Sequence, residues 1–405
     1  MHYTNKKRDP LVIGTYRVLL FLCLCFSIFI PRILAAQTAS VNTPRAEVVL
    51  NFNEFDYNLR KSVLVINSYH QGHPWTDGIT RGVLRTFSKR NAHVEIHIEN
   101  LDSKRIVNPE LWNTILIQKL ESYPAEYLDL IIVSDDNALN ALIDIGHKYH
   151  SIPIVFCGIS HAPEKITEIC HSFVGVKEYL PHKENLELGM RLFPETENIV
   201  VITDNSETGI SHRIAAEKAI DEVLPENIRV ILLDGTTGLT TPEMVRQLKT
   251  LPEKTLVLFS IWQIDGDGNY WDPEKYYRLY AEACDVPVFI VTDVGLREGF
   301  LGGHISVSEN QGELAAELGL KILYRGYQPD KLIYDDNNQW YFNWKELRRW
   351  KIARPSLPSG AIVFNRPMAV YREYAFFFLD HAWIDHCIIC SAVVNSDLSF
   401  SLSQE

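Results

Sequence analysis

KSVLVINSYHQGHPWTDGITRGVLRTFSK, residues 61–89, joins a β-branched apolar run, Val63 to Asn67, through a polar and aromatic turn to helical spacing over Thr76 to Lys89. The same pattern recurs at once: Val94 to Ile98 then Glu110 to Glu121, Leu128 to Val133 then Asn137 to Tyr149, and finally Ile152 to Phe156. Short runs rich in Val and Ile that alternate with longer stretches of helical period predict a parallel sheet with crossover helices.

The alternation restarts after Val174 to Val176. Helical spacing over Lys183 to Leu192, Ser211 to Val223, Pro242 to Thr250 and Pro273 to Ala283 is interleaved with strand-like Ile199 to Thr203, Arg229 to Leu233, Thr255 to Ser260 and Val286 to Val291. Two successive α/β units predict two Rossmann-like lobes with a cleft where the carboxyl ends of their strands face each other. A last helix, Gln311 to Tyr324, is expected to return the chain to the first lobe. The expected organisation is a leader or N-terminal anchor over 1–36 and a polar lead-in over 37–60. The first lobe is 61–177 plus 305–340, the second 178–304, followed by a strap over 341–370 and an apolar tail over 371–405.

Outside the body, Lys6, Lys7, Arg8 and Arg17 precede the apolar run Val18 to Ile30 and the small residues Ala35 and Ala36, the layout of a secretory leader. Cleavage after Ala36 is the expectation and an uncleaved anchor the alternative; either exports the body of the chain. The apolar stretch Ala375 to Val394 is interrupted by Asp380, His381, Asp385 and His386. It reads as a degraded membrane segment or as an amphipathic tail helix, since each central charge costs about 2.5 to 3.5 kcal/mol on insertion. Association with a membrane through the termini is the corresponding expectation.

A net charge of −12, with no basic stripe interleaved with aromatics, excludes nucleic acid as the expected partner. Only Cys157, Cys170 and Cys284 of the seven cysteines fall in the body, too few for a disulfide-built scaffold. Buried thiols are the expectation there, with a Cys157–Cys170 bridge as the alternative.

Candidate ligand-binding residues come from one rule, that open α/β sheets bind at the carboxyl edge of their strands. In the first unit these are Ser68, Tyr69, His70, Trp75 and Asp77, then Ser134 and Asp135 beside Asp136, then Gly158 and Ser160. In the second they are Asp204, Thr208, Gly209, Trp262 and Asp265, with Asp293 near the last crossover. Each has a plainer role: Asp77 favours a first helical turn, Trp75 packs in a core, Ser134 or Asp135 caps a helix, and Gly158 makes a turn. Asp293 reads as hinge or rim.

His70 and His73 without a third placed ligand make a poor zinc signal, so no metal is expected. Asp265, Asp267 and Asn269 open like a calcium loop, but Tyr270 stands where Gly is needed and Tyr276 where Glu is needed. No Walker motif, G-x-S-x-G elbow or H-E-x-x-H pair occurs, so no catalytic residues and no cofactor are expected.

VLVINSYHQGHPWTD at Val63 to Asp77 resembles the opening of the bacterial family of ABC-transporter-type substrate-binding proteins, which includes exported sensor regions of histidine kinases and diguanylate cyclases. GVKEYL at Gly175 to Leu180, DGDGNYW at Asp265 to Trp271, PVFIVTDVG at Pro287 to Gly295 and GFLGGHISVSENQG at Gly299 to Gly312 are similar too. So is the strap Phe342 to Pro367. The resemblance implies a type I periplasmic-binding-protein architecture, two hinged lobes around a small-molecule ligand. It implies a periplasmic or other extracytoplasmic solute-binding sensor rather than an enzyme, with a kinase, cyclase or transporter as partner. A free substrate-binding protein serving an ABC transporter is the alternative. Tyr69, Trp75, Trp262 and Trp271 near the expected cleft favour an organic ligand, aromatic or carboxylate-bearing.

Overall fold

A computed structural model describes residues 60–145, 147–149, 151–160, 173–326, 333–334 and 338–367. The leader, the lead-in, the tail from Ala375 and Cys170 lie outside the described residues, and with them the expectations attached to each.

The first sheet contains β1 (Lys61–Asn67), β2 (Val94–Asn100), β3 (Leu130–Ser134), β4 (Ile154–Ile159), β5 (Phe173–Lys177) and β11 (Ile333–Tyr334). All pairs are parallel and the order is β2-β1-β3-β4-β5-β11. Strand period decides which side chain serves which face. Val63 and Val65 enter one buried layer with Ile79, Val83 and Phe87 of α1 (Pro74–Lys89). Leu64 and Ile66 enter the opposite layer, against Trp112 and Leu116 of α2 (Pro109–Leu120) and Leu139 of α3 (Asp136–Ile145). A strand buried on both faces reads as a continuous apolar run, which is what residues 63–66 are.

The second sheet repeats the plan with β6 (Asn198–Thr203), β7 (Arg229–Asp234), β8 (Thr255–Phe259), β9 (Val288–Ile290) and β10 (Gly302–Ile305), then β12 (Gln339–Asn343) and β13 (Ile362–Phe364). Its order is β7-β6-β8-β9-β10-β12-β13, parallel except for β10 against β12. On one face lie α4 (His182–Leu192), α5 (Glu207–Val223) and α9 (Trp344–Arg349), which contribute Leu186, Ala216 and Leu347; on the other, α6 (Thr241–Leu248) and α7 (Pro273–Ala283) contribute Met244 and Tyr280. The strap therefore builds the edge of this sheet. Periodicity did not reveal β10 because glycines 302 and 303 remove its side-chain pattern. Both glycines have positive φ, and a Cβ on Gly302 would stand 2.0 Å from the Tyr341 carbonyl oxygen.

The chain passes between sheets after β5, after β10 and again between β11 and β12. The second passage leads into α8 (Ser308–Arg325), which packs along α1. Small residues set that approach: a Cβ on Gly82 would lie 2.2 Å from the Glu309 carbonyl oxygen, and one on Gly312 2.0 Å from that of Ile79. Arg81 and Arg85 both pair with the Glu309 carboxylate along the outside of this contact. Among the described residues no helix is long and apolar enough to cross a membrane.

Candidate functional site

Strand orders 2-1-3-4-5 and 7-6-8-9-10 place a topological switch point between β1 and β3 in one sheet and between β6 and β8 in the other. The loops that leave these strands meet. The cavity between them is lined from the first lobe by Tyr69, His73, Trp75, Lys104, Asp135 and Gly158, and from the second by Thr208, His212, Ser260, Gln263 and Tyr277. The space between the lining atoms, mouth included, is about 450 Å³.

Among the described residues, three first-lobe side chains hydrogen-bond across to the second lobe there. Tyr69 Oη and Thr208 Oγ1 share a hydrogen bond of 3.1 Å, and His73 Nε2 meets Gln263 Oε1 at 3.0 Å. Lys104 Nζ donates to Ser206 Oγ and to Thr208 Oγ1, each at 3.2 Å, and stands 4.8 Å from the centre of the Tyr69 ring. Lys104 is 2% exposed, and burial lowers its pKa although Asp204, and after it Asp135, pull the other way. Asp204 is the counter-charge one hydroxyl away, since Ser206 Oγ donates to Asp204 Oδ1 at 2.5 Å.

Asp135 occupies the first position after β3 with φ of 67°, a left-handed conformation that Asp tolerates better than most residues. Its Oδ1 accepts the Trp75 indole N–H at 2.7 Å and its Oδ2 accepts from Ser134 Oγ at 3.1 Å. Burial pushes its carboxyl up to about 7, with neighbouring Asp136 adding to the shift. Asp136 and Glu178 line the same side of the cavity.

Opposite them, Ser260 Oγ lies 2.7 Å from His182 Nε2 and 2.8 Å from His212 Nδ1. The hydroxyl has one proton, so it donates to one ring and accepts from the other. Burial lowers His182 to about 4 and His212 well below the usual histidine range, so both rings are neutral near pH 7. Among the described residues neither ring is hydrogen-bonded to a carboxylate.

Of the residues singled out in the sequence, Tyr69, Trp75, Asp135, Gly158 and Thr208 line this cavity. The structure gives the others different work. Ser68 Oγ donates toward the Ser134 and Asp135 carbonyl oxygens and accepts from Ala138 N, tying β1 to α3; Ser134 Oγ also reaches Asn67 Oδ1. Asp77 accepts from Gly72 N and closes the turn that carries His73. His70 sits at the rim, 3.3 Å from Asp102 and edge-on to the Tyr270 ring. Ser160 Oγ contacts Glu178 Oε2 at 3.4 Å and so stands behind the lining.

In the second lobe Asp204 accepts from Ser206 N, Ser206 Oγ, Gln263 N and Ile264 N, which fastens α5 to the loop after β8. A Cβ on Gly209 would meet Asp204 Oδ1 at 2.1 Å, so that glycine serves the same junction. Asp265 orders its own loop by accepting from the Asp267 and Asn269 amides and the Trp271 indole.

Two placements correct the sequence reading. Trp262 is not a cleft wall: it is fully buried, with its indole N–H donated to Thr241 Oγ1 at 2.8 Å, while its neighbours Ile261 and Gln263 line the cavity. Asp293 likewise turns away and accepts from Ser308 N and Ser308 Oγ at the start of α8, while Thr292 and Val294 face the cavity. At Asp293 the alternation of extended backbone accounts for the placement, since the residues on either side of it face the cavity.

Sequence reasoning missed Lys104, Glu178, His212, Ser260 and Tyr277 as lining residues, and weighed His73 only as a metal ligand. Lys104 and Glu178 lie just past the carboxyl ends of β2 and β5, so the edge rule reaches them when applied to every strand. His212 and Tyr277 lie inside helices, where no local signal marks them.

Two parallel, doubly wound lobes joined by repeated crossovers, with their strand ends turned toward one cleft, define the type I periplasmic-binding-protein architecture. Solved structures share it. A conserved domain protein from Vibrio cholerae superposes with TM-score 0.56 at 15% identity, covering 75% of this chain and 99% of that one. The ABC domain in complex with L-Trp from Streptococcus pneumonia gives 0.55 at 14%, covering 76% and 100%. A substrate-binding protein with adhesive properties from Clostridium difficile, solved ligand-free and open, gives 0.53 at 16%, covering 76% and 100%. No protein-family model and no curated protein matches the chain.

Proposed function

We propose that this chain is an extracytoplasmic solute-binding protein whose two lobes close on a small organic molecule, binding it without turnover. The observation that carries the reading is the cavity between the two switch points, to which both lobes contribute hydrogen-bonding and aromatic groups. That the Streptococcus pneumonia relative in fold was solved with L-Trp supports a small organic ligand.

The finer reading is a sensor: closure changes the position of the strap, β12 to β13, relative to the first lobe, and the strap passes that change to a membrane or partner component. The alternative, delivery of solute to an ABC transporter, is favoured by the substrate-binding protein among the fold relatives. Carbonate washing of membranes separates the two, since retention of the whole chain supports the sensor and full release supports delivery.

The test of solute binding is a thermal-shift screen of the full chain against small metabolites. A ligand that binds only the folded form at a hundredfold excess over Kd adds about 2.7 kcal/mol. That gain should vanish in Tyr69→Ala and in His212→Ala. A stabilising ligand whose effect persists undiminished in both folded variants would place binding elsewhere.

A further inference from the structure

Ser260 Oγ stands between two buried imidazoles, 2.7 Å from His182 Nε2 and 2.8 Å from His212 Nδ1, and its single proton points to one of them. That choice decides the tautomer of both rings, because each is neutral and a neutral imidazole has one N–H and one lone pair.

The direction is set at the His182 end. The His182 backbone N–H donates to the Leu180 carbonyl at 2.9 Å, which brings that oxygen beside the root of the side chain. Nδ1, the ring nitrogen nearer the backbone, is buried and makes no hydrogen bond of ordinary geometry. Burial is the larger influence on this ring and lowers its pKa, while the Leu180 carbonyl draws it back up. A carbonyl oxygen attracts an N–H and repels a lone pair, so the His182 proton sits on Nδ1. His182 Nε2 is then bare and takes the Ser260 proton, Ser260 Oγ accepts from His212 Nδ1–H, and His212 Nε2 is left as a lone pair. His212 is 2% exposed and lines the cavity, and its Nε2 has no hydrogen bond among the described residues. A buried acceptor in that state is relieved only by a donor.

We propose, resting on the solute-binding reading above, that His212 selects the solute by accepting, through Nε2, a hydrogen bond from an O–H or N–H group of the ligand. The cavity then takes a hydrogen-bond-donating organic molecule, such as a phenol or an indole, and discriminates against the ether of similar shape. Tyr69, Trp75 and Tyr277 line the same space and supply apolar faces for the carbon skeleton. A ligand oxygen that only accepts meets the His212 lone pair with its own and leaves the buried nitrogen unpaired. Ser260 and His182 are positioning residues in this scheme: they act through His212, holding its proton on Nδ1.

The experiment uses the purified full chain at neutral pH and two matched pairs of uncharged probes, phenol with anisole and indole with benzofuran, each pair differing in the donor. Thermal shift and titration calorimetry should show the donor of each pair binding at least about tenfold more tightly. Ser260→Ala releases His212 to carry its proton on either nitrogen, so the preference within each pair should shrink, whereas a merely structural role would weaken both members alike. Long-range nitrogen–proton spectra of the chain labelled at histidine, with His212→Gln to assign the signals, should show Nδ1 protonated and Nε2 bare. Equal binding within the pairs, or tighter binding of anisole and benzofuran, overturns selection by His212 while leaving solute binding intact. A His212 proton on Nε2, or a preference undiminished in folded Ser260→Ala, overturns the relay through Ser260. Binding of none of the four probes counts against the solute-binding reading itself, and the nitrogen spectrum still decides the tautomer.

Discussion

Replacing Lys104 by Met should open the molecule. Lys104 Nζ reaches across the cleft to two hydroxyls of the second lobe, each at 3.2 Å, and hydrogen bonds from a charged donor contribute about 1.5 to 3 kcal/mol apiece. The contact with the Tyr69 ring does not count toward closure, because Tyr69 and Lys104 belong to the same lobe and stay together when the lobes part. Opposing closure, the buried ammonium gives up hydration worth several kcal/mol. Removing one member of a buried charge pair costs about 3 to 5 kcal/mol. Asp204 left behind keeps four donors, so the low end applies: about 3 kcal/mol, on the order of a hundredfold in the ratio of closed to open. Small-angle scattering of the full chain should show a larger radius of gyration for Lys104→Met than for wild type, with unchanged circular dichroism. Superimposable scattering curves from the two folded proteins would refute the role given to Lys104.

Trp262→Ala should act on folding, since it empties a fully buried site and orphans Thr241 Oγ1; urea denaturation should show a loss of about 3 to 5 kcal/mol. Gly312→Ala drives a methyl into the Ile79 carbonyl on α1 and should cost about 1 to 3 kcal/mol by the same assay, whereas Gly326→Ala, with nothing within 4 Å, should lose only what its positive φ demands. Stability should also fall in acid. His73, His182 and His212 are depressed by burial, so the unfolded chain takes protons near pH 6.5 that the folded one refuses, at about 1.4 kcal/mol per pH unit for each ring. Asp135 and Asp293, raised to about 7 and about 6, work in the opposite sense, since each holds a folded-state proton that the unfolded carboxylate releases down to about pH 4. His70 and His304, also depressed by burial, add to the loss and Glu207, raised by burial, offsets part of it, so stability should fall from pH 6 toward pH 4. Urea titrations across that range should show it, and His212→Gln should flatten the slope.

Periodicity made the fold legible wherever burial was two-sided. Residues 63–66, 130–133 and 199–202 are continuous apolar runs because helices cover both faces of each sheet. It failed at β10, where glycines chosen for close approach to β12 erase the pattern, and at the strap, whose strands complete a sheet far away in sequence. The site was legible to the level of the loop. Tyr69, Trp75, Asp135, Gly158 and Thr208 come from strand ends alone, but choosing between Asp293 and its neighbours needs the parity of the backbone leaving the sheet, and choosing between Trp262 and Gln263 needs the packed loop itself. Chemical prominence misled in both cases: the large aromatic and the carboxylate were selected for the core and for a helix cap. His212 and Ser260, 48 residues apart, come together only in three dimensions, one on α5 and the other just past β8.

Solute binding between the two switch points has a direct competitor on the first lobe. A groove of about 1250 Å³, mouth included, runs along α1, bordered by Gln71, Thr80, Arg81 and Leu84, and is the larger space there. The decisive measurement is a crystal structure of the full chain grown with whichever screened compound gives the greatest rise in melting temperature. Interlobe binding predicts electron density for that compound in contact with Tyr69 and His73 from one lobe and His212 or Gln263 from the other. Density for it in the α1 groove, with the interlobe hydrogen bonds of Tyr69 and His73 unchanged, would contradict interlobe binding.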